Sequence, residues 1–137
     1  MGIPDEFLYE YAIVRYVPRV DREEFMNVGL IMMCKRRKWL RGEVRIDRGR
    51  IQAFDPLVKI ESLNKQASLF MRGDVPSPEL PVEERYRWLA AVKSAVLQVS
   101  PSHPGMIVTA SKSPCYQEEA ETLLNKEFER LFEDLVS

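Results

Sequence analysis

Apolar and polar positions change period three times along the chain. Residues 7–17, F-L-Y-E-Y-A-I-V-R-Y-V, are rich in aromatic and β-branched types and read as a strand. Tyr9, Tyr11, Ile13, Arg15 and Val17 share one face, and Leu8, Ala12, Val14 and Tyr16 the other. Both faces are mostly apolar, so this strand is expected at the centre of a sheet. Pro18 ends it. Residues 21–26 predict one helical turn capped by Asp21. V-G-L-I-M-M-C, residues 28–34, predicts a second buried strand. After the K-R-R-K turn, residues 39–46 alternate. Leu40, Val44 and Ile46 are expected inward, and Arg41, Glu43 and Arg45 toward water.

The period then becomes helical. Asp47 can cap a helix over 48–54, and Asp55-Pro56 reads as cap and first position of another. Leu57, Ile60, Leu63, Ala67, Phe70 and Met71 form one stripe at helical spacing, with Gly73 fit to end it. The proline-rich stretch 74–81 is too short to divide domains. Pro81 opens a helix with Val82, Tyr86 and Leu89 inward. Residues 94–99 predict a fourth strand, and S-P-S-H-P-G (100–105) a rigid turn that ends it. Residues 106–116 fit no period. Residues 118–135 predict a long amphipathic helix with Leu124, Phe128, Leu131 and Leu135 inward. The order βββ, helices, β, helix predicts an α+β fold. We expect a mainly antiparallel sheet of about four strands, with helices over one face.

Length adds that 137 residues make a single domain, 1–137, large enough for its own core. A net charge of −1 supplies no overall field to attract nucleic acid or anionic membrane. The charge is segregated, however. Lys35, Arg36, Arg37, Lys38, Arg41, Arg45, Arg48 and Arg50 face only Glu43 and Asp47 within residues 35–50, whereas 117–137 are acidic. Solvated surface is the first reading of the basic hairpin, a protein partner the second and phosphate contact the third; a chain so divided could also neutralise itself. Charge division could also draw two copies together as a homodimer. Two distant cysteines and one histidine give no zinc-ligand spacing, so no metal is expected. No cofactor is expected either, because no phosphate-cradling glycine loop is present. No apolar run could span a bilayer, and no leader is visible, which places the chain in the cytoplasm.

Candidate chemistry is sparse. His103 is the only histidine, and no base–nucleophile pair surrounds it. Ser100 and Ser102 lack a nucleophile elbow. Arg15, mid-strand, needs a partner, and Glu24 is the carboxylate expected to supply it. Asn27 can satisfy main-chain groups at its turn, and Gly29 suits a close approach of another element.

Two blocks carry a resemblance: Y-A-I-V-R-Y-V-P-R-V-D-R-E-E-F-M-N-V-G-L-I (11–31) and R-Y-R-W-L-A-A-V-K-S-A-V-L-Q-V-S-P-S-H-P-G (85–105). Together they resemble an uncharacterised bacterial family catalogued as a domain of unknown function. Its members are often encoded beside a HipA-like kinase, so the resemblance implies a partner rather than a reaction. Arg15, Glu24, Asn27, Ser100 and His103 match its blocks and are the candidate binding residues. If the fourth strand pairs beside the first, Arg15 and the 100–105 turn could meet at one sheet end and hold a small anion. A separation beyond about 12 Å would preclude joint contact with a small ligand. A non-enzymatic accessory protein is the favoured reading. A small enzyme using Arg15 and His103 on a phosphorylated or nucleic-acid substrate is the alternative, and a nucleic-acid module using the 35–50 hairpin a second alternative.

Overall fold

The computed structural model describes residues 5–18, 22–68, 79–91, 96–109 and 116–136. Nine elements follow in order: β1 (Asp5–Tyr16), β2 (Met26–Cys34), β3 (Trp39–Val44), α1 (Arg48–Phe54), α2 (Ile60–Ala67), α3 (Val82–Ala91), β4 (Leu97–Val99), β5 (His103–Thr109) and α4 (Tyr116–Leu135). The sheet is antiparallel with order β3-β2-β1-β4, and β5 also pairs with β1. The α+β class therefore holds, with β1 central as its two apolar faces imply.

Those two faces carry helices on both sides rather than one. Ala12, Val14, Tyr16, Ile31 and Met33 pack into a core with residues of α1, α2 and α3. Phe7, Tyr9, Leu30, Met32 and Cys34 pack into another with α4. A strand apolar on both faces must be covered on both, since neither row of side chains can be left in water. We call these the α3 face and the α4 face.

The α4 helix buries Ala120, Leu124, Phe128, Leu131 and Phe132 at helical spacing. It overlies the row of β3 expected in water. The Arg41 guanidinium lies 4.2 Å from the Phe128 ring centre, and Arg45 4.7 Å from Phe132. Alternation is correct in both cases, but the outer row meets a helix instead of solvent.

Asp47 caps α1 as expected, its carboxylate accepting from Arg50 N–H at 3.1 Å. The Asp55-Pro56 restart does not occur there. Asp55 Oδ1 accepts from Leu57 N–H at 3.2 Å, its Oδ2 accepts from Tyr16 Oη–H, and α2 begins only at Ile60. Local side-chain bonding wins over helix initiation, and Leu57 is left 90 % exposed instead of joining the stripe. Asp21, Phe70, Met71, Gly73 and most of the proline-rich stretch lie outside the described residues. At Gly29 a Cβ would stand 2.6 Å from the Glu43 carbonyl oxygen, so the predicted close approach is that of β3.

Candidate functional site

The S-P-S-H-P-G segment does not turn the chain away from the sheet. Before it, Val14 pairs with Val99. After it, Tyr11 pairs with His103, in the same antiparallel sense. Thus β4 and β5 are two parts of one edge strand, with one extra residue between them, which is a bulge. Ser100, 5 % exposed, holds the break together. Its N–H donates to the Ile13 carbonyl at 2.9 Å. Its hydroxyl accepts from Ile13 N–H at 2.9 Å and donates to the Pro101 carbonyl at 2.9 Å. Both capacities of the hydroxyl are spent on main chain. Ser102 Oγ shares a 2.8 Å hydrogen bond with Tyr86 Oη of α3.

Sequence reasoning missed β5 because H-P-G punctuates so strongly. The residues nevertheless fit an edge. Gly105 lies under Tyr9, where a Cβ would come 2.2 Å from the ring. Tyr9 is buried, and its hydroxyl donates to Glu127 Oε2 at 3.1 Å. Burial and the Glu127 bond push the Tyr9 phenol up to about 12.

The five candidate residues do not form one cluster: Arg15 and Asn27 are cross-strand neighbours, and His103 pairs farther along β1. His103 is exposed on the α4 side, its ring centre 5.3 Å from that of Tyr11. Arg15 pairs with Asn27 on β2 and Gln98 on β4. Four strand positions separate Tyr11 from Arg15, about 13 Å at about 3.3 Å per residue. Register thus sets Arg15 and His103 apart along β1. Arg15 lies 4.3 Å over the Phe25 ring, and Glu24 stands 3.9 Å from Arg22 instead. Asn27 Nδ2–H donates to the Leu135 carbonyl at 3.0 Å, tying β2 to the end of α4 rather than to its own turn. Arg15 Nε and Asn27 Oδ1 are buried without hydrogen-bond partners among the described residues.

The basic hairpin is largely consumed internally. Arg36 forks onto Asp5 with two 2.9 Å bonds and lies 4.4 Å over Phe7. Arg37 reaches Glu121 at 3.6 Å, and Arg41 reaches Glu129 at 3.9 Å and donates to Asn125 Oδ1 at 2.9 Å. Lys35 stands 4.0 Å from Glu83. Lys38 occupies the turn at φ 51° and is exposed. Arg37, Arg41 and Arg45 thus reach carboxylates of α4, whereas Arg36 is held by β1 and Lys35 by α3.

A different place offers room. On the α3 face, α1–α3 cover Ala12 to Tyr16 but not the first half of β1. There an open groove of about 660 Å³ has Leu8, Glu10, Met33 and Pro104 at its floor, with Lys35 and Arg87 among its walls. Leu8 is 70 % exposed. Glu10 and Arg87 form no ion pair among the described residues, whereas Lys35 has Glu83. Glu10 adds its negative charge to the burial that pushes the Tyr86 phenol up to about 12. The lining contains no histidine, cysteine or serine among the described residues. Cys34 is fully buried, and burial raises its thiol, which keeps it unreactive. Cys115 lies outside the described residues. No group of three or more metal-binding side chains is found among the described residues. No described helix is long and apolar enough to cross a membrane.

One signal for the groove was present in the sequence. Leu8 and Glu10 precede Ala12 on one row of β1, where apolar and charged residues alternate instead of continuing as small and aliphatic ones. No curated protein and no solved structure matches the chain. Its residues 11–136 match the model of DUF3037, described as a protein of unknown function, and the chain belongs to that family.

Proposed function

We propose that this chain is a non-enzymatic binding or accessory protein that docks a protein partner in the groove on the α3 face. The observation that carries the reading is the groove itself: Leu8, Met33 and Pro104 line it beside α3, and Glu10 and Arg87 within it form no ion pair among the described residues. Such a surface combines the apolar contact that drives association with charges that orient a partner. The HipA-like kinase implied by the resemblance is the first partner to try.

A pull-down from native extract, read by mass spectrometry, tests this. Wild type, Leu8→Glu/Arg87→Glu and Arg15→Ala/His103→Ala are compared, each checked for folding. The reading expects one stoichiometric protein, lost with the groove variant and retained with the other. Retention by both variants, or no captured protein, refutes it.

A second reading rests on Arg15. Its buried Nε–H and the buried Asn27 Oδ1, on cross-strand neighbours, lack partners among the described residues. A small ligand carrying both an acceptor and a donor would satisfy them. Loss in the Arg15→Ala/His103→Ala variant of thermal stabilisation by a small phosphorylated compound supports that alternative. Stabilisation by no compound in a metabolite screen refutes it.

A further inference from the structure

The two edges of the sheet are built differently. β3 carries Arg41 and Glu43, and Arg41 is pressed against Phe128 of α4. β5 reads H-P-G-M-I-V-T and contains no Lys, Arg, Asp or Glu. Edge strands are ordinarily blunted by charge, by proline or by a covering element, because their outer main-chain groups invite another strand. Among the described residues only Pro104 does this on β5, and only at one end.

Which groups point outward follows from β1. Ile13 N–H and C=O both engage Ser100, and Val17 N–H donates to Val96, so odd-numbered residues of β1 turn their main chain toward β4 and β5. Pairing of β1 with β2 is unbroken from Glu10 to Val14, and with β5 from Asp5 to Tyr11. The period of two therefore carries the same direction to Tyr11, Tyr9, Phe7 and Asp5. Their partners His103, Gly105, Ile107 and Thr109 point back toward β1. Pro104, Met106 and Val108 direct their main chain away from the sheet. The N–H that Pro104 lacks is thus one the ladder does not use. Met106 and Val108 each present an N–H and a C=O with no partner among the described residues. Their side chains are 46 % and 48 % exposed, in line with Leu8 on the α3 face.

The α4 side of this edge has its own character. A slot of about 290 Å³ runs between β5 and α4, with Ile107 and Leu123 at its base and Lys126 and Arg130 on its rim. Glu127, also there, is already bound by Tyr9 and Arg130. Lys126 forms no ion pair among the described residues.

We propose that the outer edge of β5 accepts an added strand from a partner polypeptide, an extended segment alternating apolar and acidic side chains. Its main chain meets Met106 and Val108. Its apolar side chains extend the exposed row of the α3 face, and its acidic ones reach Lys126, which has no ion pair among the described residues. Charge selects this occupant over a second copy, since β5 of another molecule would bring no carboxylate to the slot. The proposal rests on reading the chain as a protein-binding molecule, but it names a different surface from the groove.

The test uses fluorescein-labelled (Val-Glu)4 and (Val-Lys)4 peptides, titrated with the full chain and followed by anisotropy. We expect saturable binding of (Val-Glu)4 and at least tenfold weaker binding of (Val-Lys)4. Met106→Pro removes an outward N–H and no ladder bond. It should weaken (Val-Glu)4 at least tenfold while the melting temperature holds. Should that variant fail to fold, Val108→Lys blocks the same edge. Lys126→Glu should reverse the peptide preference. No saturable (Val-Glu)4 binding, or equal binding by the edge-blocked variant, overturns the proposal. So does a dimer that Val108→Lys dissociates, since a second copy would then hold the edge. A native partner lost with Leu8→Glu/Arg87→Glu but kept with Met106→Pro would overturn the edge alone and leave the groove reading standing. The peptide titration needs no native partner, so an empty pull-down sinks only the groove.

Discussion

Ser100→Ala is the sharpest test of how the sheet is assembled. The substitution removes the acceptor of Ile13 N–H and the donor to the Pro101 carbonyl, both at 2.9 Å. Ile13 and Ser100 are 8 % and 5 % exposed, so water does not readily replace the hydroxyl. Leaving a buried N–H unpaired costs about 1–3 kcal/mol, and we take about 2 kcal/mol. At about 2.1 cal/mol/K per residue, a chain of this length unfolds with an entropy of about 0.3 kcal/mol/K. The melting temperature should therefore fall by about 7 °C. Native-state hydrogen exchange localises the effect, because the Ile13 amide should lose about 30-fold of its protection. Ser100→Thr keeps the hydroxyl and suits a strand, so it should recover most of the loss. A shift under about 2 °C with unchanged Ile13 exchange would refute the reasoning. Ser100 would then not bridge the two halves of the edge strand, and its hydroxyl would be free for other work.

Other substitutions probe the remaining supports. Gly29→Ala forces a Cβ to within 2.6 Å of a β3 carbonyl oxygen, and urea denaturation should show a loss of about 3 kcal/mol. Arg41→Ala removes a guanidinium from Phe128 and a bond to Asn125, and the same assay should read about 1 kcal/mol. Of the five tyrosines, Tyr9, Tyr16 and Tyr86 are held above the usual phenol value, chiefly by burial, so absorbance at high pH should show three late ionisations. A raised folded value means that the stabilisation is complete below about pH 10 and is lost as pH climbs. For Tyr9 the loss runs through about 12, and Tyr9→Phe should flatten that part of the stability profile.

Strong periodicity made most of the fold legible. The faces of β1, the buried run of β2, the Asp47 cap and the inward row of α4 all follow from side-chain period. What failed were places where a local signal competes with tertiary demand. Asp55-Pro56 is a good helix start in isolation, yet Tyr16 draws the Asp55 carboxylate into the core-side network and α2 begins later. Arg41 and Arg45 look like solvent residues because sequence gives their charge, not the aromatic rings of a helix more than 80 positions away. The candidate site was less legible still. Arg15 and His103 were joined by shared blocks, but pairing with β1 assigns them to positions four residues apart.

The edge strand explains why the central motif was hard to interpret. Pro104 and Gly105 argue against a strand whenever the strand is imagined inside a sheet. On an edge whose alternate residues face outward, the objection dissolves. Pro104 falls on an outward position, and Gly105 on an inward one that the Tyr9 ring occupies. In this parity the proline is permitted and the glycine required, and shifting the register by one residue would place the proline against β1 and a side chain against Tyr9. The single extra residue at the Ser100 bulge sets that parity, because it is what separates the register of β4 from that of β5. S-P-S-H-P-G therefore aligns the edge. Its histidine is carried at the start of β5 beside Tyr11, while the proline and glycine fix which main-chain groups of Met106 and Val108 remain open.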